Sequence, residues 1–434
     1  MASLPGLRGP AESSSEQVRR WIETPVEFWE ECARNYGDAV ALDLGSLGAV
    51  VLLSDPESVR DVFQLPHDSF ECRQYNEHYR YVMGDNALLL QDGEAHRRQR
   101  RLLGPMLRSE QFVPTVAAMR DIAHRVLSAW PANGSFSPRA SFHEITFQVM
   151  VLLLLGDLTS ETSQALVSAY HEGVLGQVGS WGPWRNFTRL QPRIRALLKA
   201  EVALRRSDPT LPGALSALAQ ARDADGESIT DAESEDHVFS LMIAGVDTTA
   251  ISLTWAMYWL CCEDAIRARL VAELHGAEGA NVLDLPYLDA VFHETLRMYP
   301  IVPTPSGRKL TREQCIGPHV FPAGTTLVPC TYLVNRREEL YPNSHQFLPD
   351  RFLERKFASH EYFPFGGGAR NCVGEILAET EFKVVLGALL SMWTAEAVEK
   401  PLLKPRRQGI LLAPSDDFHI LVRPVERSQT RAAI

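Results

Sequence analysis

The stretch best suited to chemistry is a glycine-rich turn with one cysteine, which runs from Phe363 to Gly374. Three consecutive glycines precede Cys372, and a helical pattern follows from about residue 375 to 390. Glycines permit positive φ angles and the close approach of a flat ligand. A thiolate at a helix N-terminus is stabilised by backbone N–H groups and the helix dipole. A lone cysteine cannot hold a structural zinc, but it can be the axial ligand of a haem iron. Taken alone, the turn is also compatible with an incidental cysteine.

Two pairs of charged or basic residues lie at helical spacing. Glu294 and Arg297 are three residues apart, and His96 and Arg100 are four apart. Residues at these spacings share one face of a helix, so the members of each pair can act together. In isolation such a Glu–Arg pair is usually a surface bridge, and a basic run such as residues 96–101 is usually a solvated helix face.

A polar group interrupts the long apolar segment from Val238 to Cys262. The segment carries one charged residue, Asp247, which Thr248 follows directly. By length the segment could span a bilayer. Because the aspartate would be costly there, we expect a long buried helix instead. In a helix the Thr248 hydroxyl can bond to the carbonyl of Ala244, four residues earlier. A buried aspartate also needs a partner.

Together these patterns resemble the cytochrome P450 superfamily. The stretch Phe365-x-x-Gly368-x-Arg370-x-Cys372-x-Gly374 is similar to the family's haem-binding loop, and the other patterns occur in the family's order. The resemblance implies haem b as cofactor, with Cys372 as its proximal thiolate. It further implies that Phe365 packs near that ligand, that Arg370 faces a haem propionate, and that Gly374 belongs to the cofactor-binding loop.

The resemblance implies a structural group and a catalytic group. Glu294 and Arg297 match the family's buried ExxR pair, and Arg351, in a proline-containing segment, completes it. This group holds the core around the haem loop, and breaking it would cost about 3–5 kcal/mol. Asp247 and Thr248 match the acid and the hydroxyl that deliver protons to bound oxygen, so they are the implied catalytic residues.

Five more residues are implied to lie at the haem. Ala244 and Gly245 match positions over the iron, where Gly245 leaves room for dioxygen. His96, Arg100 and Arg308 match positions that bind the haem propionates.

The other arginines of the basic run are implied to meet an electron donor; they are Arg97, Arg98, Arg101 and Arg108. The chain has 43 basic and 54 acidic residues and a net charge of −11. A local basic patch on an acidic protein suggests docking of an acidic ferredoxin-type protein, itself served by a reductase. The acidic balance argues against a nucleic-acid binder.

Composition indicates a folded globular protein, since 45% of the 434 residues are hydrophobic and 22% are charged. Seven cysteines without CxxC spacing suit a reducing compartment. The N-terminal residues lack a basic region followed by an apolar one, so we expect neither signal peptide nor membrane anchor, and a cytoplasmic location.

We expect a mainly α structure with small β-sheets (α+β), in the cytochrome P450 fold, with the haem between the long helix and the cysteine loop. A single domain over residues 1–434 is expected, with a β-rich part at about 36–70 plus 300–330. The predicted elements are a hairpin at Ala39–Leu44 and Gly48–Leu53, a helix beginning at Ser54–Glu57, mostly helix over His96–Ala219 with a core helix at Phe147–Leu155, helices at Leu285–Tyr299 and Glu375–Leu390, and turns with small sheets over Pro300–Pro349.

The implied activity is a haem-thiolate monooxygenase that inserts one oxygen atom from O2 into a hydrophobic small molecule. Terpenoid or fatty-acid-like compounds are the first candidates. No glycine-rich dinucleotide fingerprint follows a strand, so electrons would come from the separate ferredoxin and reductase. A monomer is the family default. The stretches Asn335–Pro342 and Lys383–Leu386 resemble a cyanobacterial and myxobacterial branch, which implies a bacterial source.

The segments implied to face substrate are apolar and aromatic; they are Tyr75–Leu90, Trp181–Phe187, the helix near Ala244, Ile301–Ser306 and the turn near Leu411–Phe418. The connection Gly173–Arg189 is either a surface loop with buried anchors or a mobile lid. Two other functions stay open: a peroxide-driven or isomerising haem-thiolate enzyme, and a non-catalytic haem sensor or apolar-ligand carrier. Asp247 and Thr248 argue against both, because neither needs a proton relay.

Overall fold

Apolar runs in the first part of the chain and after residue 300 build one five-stranded sheet. In the computed structural model, β1 (Ala39–Asp43) and β2 (Ala49–Leu53) pair antiparallel, as the hairpin prediction requires. β2 runs parallel to β7 (Thr326–Pro329), and the sheet continues through β4 (Arg308–Leu310) to β3 (Phe70–Glu71). β7 is buried at all four residues, as expected for an inner strand that is covered on both faces. The sheet therefore joins residues near 36–70 to residues near 300–330.

Six more strands form three two-stranded sheets. β5 (Gln314–Ile316) pairs with β6 (His319–Phe321), β8 (Trp393–Ala397) with β11 (Ile420–Pro424), and β9 (Pro405–Gln408) with β10 (Leu411–Pro414). The turn expected near Leu411–Phe418 is wrong for its first four residues, which are the buried strand β10. Leu-Leu-Ala-Pro shows no alternation, so only its pairing with β9 makes it a strand.

The structure describes residues 6–107, 112–132, 134–172, 182–276, 281–398, 403–415 and 418–425, and only the backbone of 182–189. The helices of these residues are α1 (Ser14–Glu23), α2 (Pro25–Tyr36), α3 (Pro56–Phe63), α4 (Arg73–Asn76), α5 (Arg80–Met83), α6 (Gly93–Leu103), α7 (Val116–Ser128), α8 (Arg139–Leu155), α9 (Glu161–Tyr170), α10 (Gly182–Ser207), α11 (Ala214–Gln220), α12 (Asp231–Cys262), α13 (Asp264–Gly276), α14 (Pro286–Met298), α15 (Thr331–Val334), α16 (Asp350–Glu354) and α17 (Glu375–Met392).

The predicted helices are present apart from their ends, but α1, α2 and α13 were not predicted, and the short α15 lies within the stretch predicted as turns and small sheets. The helix expected at Ser54–Glu57 is α3, which Asp55 caps by accepting the Ser58 amide. The lid or loop predicted over Gly173–Arg189 lies outside the described residues as far as residue 181, and from Gly182 the backbone is helical.

The long apolar segment is the central helix α12, and it begins seven residues before the predicted Val238. Thr230 and Glu233 form a capping box: the Glu233 amide donates to Thr230 Oγ1 at 3.2 Å and the Thr230 amide donates to Glu233 Oε2 at 2.9 Å. The helix is long and apolar enough to cross a membrane, but 67% of its most apolar window is buried inside the protein. That burial is expected of a core helix.

Helix α8 contains the predicted core segment Phe147–Leu155 and packs against α12. The two helices approach closely at Gly245, where a Cβ would collide with Met150 Cε. Gly245 therefore admits a side chain from α8, a packing role that the motif did not indicate.

A fully buried ion pair ties α14 to the irregular chain that follows it. Glu294 and Arg297 are both 0% exposed, and Arg297 Nε donates to Glu294 Oε2 at 2.6 Å. Arg351 Nε donates to Glu294 Oε1 at 3.2 Å from α16. The remaining Arg297 donors bond to three backbone carbonyls, those of Asn335, Ser344 and Gln346. The predicted charged group is thus assembled, with all its partners inside the protein.

Glu294→Gln should destabilise the protein by about 3–5 kcal/mol, because it leaves the buried Arg297 guanidinium without a counter-charge. Urea unfolding, followed by circular dichroism, measures the change. Asp68→Asn is the matched control, since it removes a carboxylate that is 72% exposed and paired with Arg312. Equal stability losses in the two variants would contradict the structural role of Glu294.

Buried His237 makes the stability of the protein depend on pH. Its side chain is 1% exposed on α12, and neither ring nitrogen has a hydrogen-bond partner. Burial lowers the pKa of His237 to about 4, although Glu233 and Asp236 oppose that shift. Between pH 6.5 and about 4 the unfolded chain therefore binds a proton that the native protein does not. Stability should fall as pH drops through this window.

Replacing His237 by Leu should remove this term, so the variant should lose less stability than the wild type between pH 7 and pH 5, by about 1–2 kcal/mol. Urea unfolding at the two pH values measures the difference. His345→Leu, at an exposed histidine, should keep the wild-type dependence. Parallel curves for wild type and His237→Leu would sink the prediction.

Candidate functional site

The cysteine turn is closed by its own backbone before α17 begins. The Cys372 amide donates to the carbonyl of Phe365 at 2.8 Å, and the Gly374 amide donates to Cys372 Sγ at 3.3 Å. Helix α17 starts at Glu375, so the sulfur lies at its N-terminal end, as predicted. The Phe365 ring contacts Phe292 of α14, with ring centroids 6.3 Å apart.

The glycines of this turn are required by its conformation and by its contact with α3. Gly366 and Gly368 have φ angles of 73° and 62°, in the left-handed region that favours glycine. A Cβ on Gly368 would also collide with the backbone of Phe63, at the end of α3. The turn is thus held against the β-rich part of the protein.

The Cys372 side chain is exposed at the protein surface, but neighbouring protein atoms partly desolvate its sulfur. Burial raises the pKa of its thiol, while the Gly374 N–H and the Arg100 charge act in the opposite direction. A bound cation such as an iron ion would favour the thiolate form of Cys372 over the thiol. The turn therefore provides one sulfur ligand, whose position is set by backbone hydrogen bonds of the turn.

Positively charged and polar donors gather near this turn. Arg308 is 1% exposed and donates to the carbonyls of Ser306 and Gly367, at 3.0 and 2.9 Å. Burial lowers the pKa of Arg308 to about 10. Arg100 donates to the backbone carbonyl of Asn371, next to the cysteine, at 2.8 Å.

His96 belongs to the same group of donors. It is 2% exposed, and burial, followed by the Arg370 and Arg100 charges, lowers its pKa to about 3. The imidazole is therefore neutral at physiological pH. Its Nδ1 is buried and has no hydrogen-bond partner.

These donors fit the propionate groups of a haem. Arg308 has no carboxylate partner among the described residues, and the buried Nε of Arg370 has no hydrogen-bond partner. Carboxylates are the acceptors that such groups need. Arg370 departs from its expected contact in part, because its Nη2 is already paired with Asp92. Asp92 also accepts the Cys72 and Arg73 amides.

The residues of α12 that were predicted to serve oxygen chemistry, from Ala244 to Thr248, include the accessible positions of a mostly buried helix. Ala244 is exposed, whereas Met242, Ile243 and Val246 around it are buried. Thr248 Oγ1 donates to the Ala244 carbonyl at 2.7 Å, as predicted from the spacing.

Asp247 has a partner that the sequence did not indicate. Asp247 Oδ1 lies 3.2 Å from Nδ1 of His143, which is on α8. Arg139 Nε donates to Nε2 of the same imidazole at 3.5 Å. Nδ1 makes no hydrogen bond of normal geometry, so its contact with the carboxylate is a close approach. No local pattern could reveal His143, since the two helices meet only in the tertiary structure.

The arginines of α6 that were expected to form a basic patch are paired with acidic residues where the structure describes them. Arg98 is bound to Asp223 at 2.6 Å and to Glu233 at 2.8 Å, so it joins elements within the protein and adds no free charge to the surface. Arg97 and Arg101 are 46% and 59% exposed, and both pair with Glu94. Arg108 lies outside the described residues.

Three of the segments predicted to face substrate are joined by hydrogen bonds. Asn76 Nδ2 donates to Ser306 Oγ at 3.1 Å, and the Leu412 amide donates to the Ile301 carbonyl at 2.8 Å. Ser240 of α12 donates to the Met83 carbonyl at 3.4 Å. These bonds bring Tyr75–Leu90, Ile301–Ser306 and the β9–β10 hairpin together beside α12. Trp181–Phe187 lies outside the residues whose side chains are described.

The family profile, the similar sequences and the similar solved structures all point to the same protein family. The cytochrome P450 family profile matches residues 13–421. A protein named cytochrome P450 135B1 from Mycobacterium tuberculosis is 31% identical, over 96% of this chain and 91% of the relative. Cytochrome P450 135A1 from the same species is 28% identical, over 98% and 96%. Among solved structures, retinoic acid-bound cyanobacterial CYP120A1 superposes with a TM-score of 0.83 at 22% identity, over 98% of this chain and 100% of that one.

Proposed function

This chain belongs to the cytochrome P450 family, and from that premise we propose how its own residues serve the family's chemistry. P450 enzymes hold haem through a cysteine thiolate and are generally monooxygenases. We assign Cys372 as that thiolate. The observation that carries the assignment is the closed turn, in which the Phe365 carbonyl and the Gly374 amide present an accessible sulfur. When bound, the haem supplies dioxygen activation and the transfer of one oxygen atom to substrate.

The chain's cationic donors would hold the propionates. Arg308, Arg100 and Arg370 supply guanidinium groups, and neutral His96 supplies an N–H or an acceptor according to its tautomer. Two observations on the described residues support this. Arg308 is buried and has no carboxylate partner, and the buried Arg370 Nε and His96 Nδ1 have no hydrogen-bond partner. With the carboxylates in place, the cofactor would be oriented between the cysteine turn and α12.

Thr248 and Asp247 would move protons on the α12 side. The Thr248 hydroxyl is oriented by its bond to Ala244, and Asp247 lies 3.2 Å from His143 of α8. His143 is therefore a neighbour of the carboxylate that would exchange protons with solvent. Asp247 retains 23% exposure of its side chain, which keeps a route to water.

The substrate is proposed to be a hydrophobic small molecule, and fatty-acid-like or terpenoid compounds are the first to test. Support comes from the apolar segments that meet beside α12. We propose that electrons come from a separate ferredoxin and its reductase. Exposed Arg97 and Arg101 would contribute to the docking surface.

Cys372→Ser should abolish the strongly red-shifted Soret band of the dithionite-reduced, carbon monoxide-bound protein, because only a thiolate donates enough charge to the iron. Absorbance spectra of the purified protein measure the band. Cys315→Ser, at an exposed cysteine distant in sequence from the turn, should keep it. A red-shifted band that survives in Cys372→Ser would show that another residue ligates the iron.

Thr248→Ala should uncouple oxygen consumption from product formation, so NADH and oxygen are used while product per oxygen falls severalfold. Reconstitution with a ferredoxin, a reductase and a bound substrate measures this ratio. Thr254→Ala is a matched control, because Thr254 makes the same 2.7 Å bond to the carbonyl four residues earlier, but it is buried. Unchanged coupling in Thr248→Ala, or equal turnover with peroxide alone, would favour the peroxide-driven alternative. Spectral binding without any product would favour the carrier.

A further inference from the structure

His96 of the proposed haem site has a neighbouring imidazole that the sequence motifs did not indicate. The ring of His67 lies against the His96 ring, with centroids 5.9 Å apart and planes inclined by 38°. His96 is 2% exposed, and its buried Nδ1 has no hydrogen-bond partner among the described residues. His67, in contrast, is partly exposed. It is therefore in contact both with a buried residue of the haem site and with solvent.

The turn that carries His67 is held at the edge of the five-stranded sheet. Ser69 donates to the Pro66 carbonyl twice, through its amide at 3.0 Å and its hydroxyl at 2.6 Å. The Thr311 amide donates to the Ser69 carbonyl at 3.0 Å. Strand β3 follows the turn and pairs antiparallel with β4, which begins at Arg308. The position of His67 is therefore set relative to the strand that supplies Arg308.

Ring contacts connect the two buried donors of the haem site. The His67 ring stacks on Phe70 of β3, with centroids 6.5 Å apart and planes within 24° of parallel. Arg308 Cζ lies 5.8 Å from the centre of the same Phe70 ring. Ala369, in the cysteine turn, packs against the apolar cluster that contains Phe70. A row of contacts thus joins Arg308 to His96 beside the cysteine turn.

His67 is the member of this row whose charge can change near neutral pH. Burial lowers the pKa of Arg308 only to about 10, so its guanidinium stays charged. Burial, followed by the neighbouring arginine charges, lowers the pKa of His96 to about 3, so its ring stays neutral. An imidazole with an ordinary pKa of about 6.5 would change its charge between these limits.

The charges that act on His67 are mostly positive, and they belong to α6 and the cysteine turn: Arg97, Arg370 and Arg100, with Glu94 opposing them. Burial, followed by these arginines, lowers the pKa of His67. Asp68, on the same turn, is paired with Arg312 at 3.1 Å. Haem propionates among the arginines would offset their charge and favour the protonated imidazole. Binding of the haem would therefore move the titration of His67 towards neutral pH.

We propose that His67 is a further residue of the haem site, and that its protonation raises the reduction potential of the haem iron. The inference rests on the proposed function, because it concerns the same cofactor site. An electron from the donor protein reduces ferric to ferrous iron, and the His67 imidazole binds a proton from solvent. The positive charge of the proton offsets the negative charge of the electron, so each event favours the other.

The test is a spectroelectrochemical titration of the haem-loaded, substrate-free protein from about pH 8 to about pH 5. The reduction potential of the wild type should rise as pH falls, because protonated His67 stabilises the reduced haem. His67→Phe keeps an aromatic ring against His96 but cannot bind a proton, so it should lose most of this rise. At the alkaline end, where His67 is neutral, the two proteins should have the same potential.

Two further variants keep the test decisive. His67→Gln is polar but does not titrate, so it should lose the same rise even if His67→Phe fails to load haem. His345→Gln, at an exposed histidine, should keep the wild-type dependence. A wild-type potential that does not change with pH, or equal dependence in the wild type and the His67 variants, would overturn the role of His67 alone. A wild type without the red-shifted carbon monoxide band would overturn the proposed function and this inference with it.

Discussion

The burial of Glu294 and Arg297 is the constraint on which the rest of the structure depends. Two charges with no exposure must find every partner inside the protein. The pair itself satisfies only part of the Arg297 guanidinium, so backbone carbonyls from the irregular chain after α15 complete it. The Leu348 amide donates to Glu294 at 2.7 Å and Arg351 closes the group. A segment with little regular secondary structure is therefore held firmly against α14.

That anchoring extends to the cysteine turn. Tyr362 donates to the carbonyl of His293 on α14 at 3.0 Å, and Tyr341 donates to the carbonyl of Glu361 at 2.8 Å. The turn begins directly after these residues, and its glycines press it against Phe63 at the end of α3. The position of the Cys372 sulfur therefore depends on α14, α3 and the irregular chain together. These contacts join residues that are close in the structure but far apart in the sequence.

Charge is distributed unevenly in this acidic protein. Among the described residues, buried Arg308 hydrogen-bonds only to backbone carbonyls, and partly exposed Arg407 bonds to carbonyls and packs on the Trp21 ring. Arg98, in contrast, is neutralised by Asp223 and Glu233. A guanidinium without a counter-charge in a protein of net charge −11 is therefore informative, because acids were available to pair with it. For Arg308, which lies beside the cysteine turn, the proposed anion is a haem propionate.

The sequence by itself determined the elements whose signals are local: the hairpin β1–β2, the core helices, the start of α3 near residues 54–57, the Thr248–Ala244 bond and the motif around Cys372. These depend on residues within a few positions, where periodicity and side-chain reach decide the outcome. Only the tertiary structure decided that Leu411–Pro414 is a strand, that His143 lies beside Asp247, and that Gly245 admits Met150. The physical reason is that these contacts join residues far apart in the chain. They depend on how whole helices and strands pack, which no local pattern of side chains specifies.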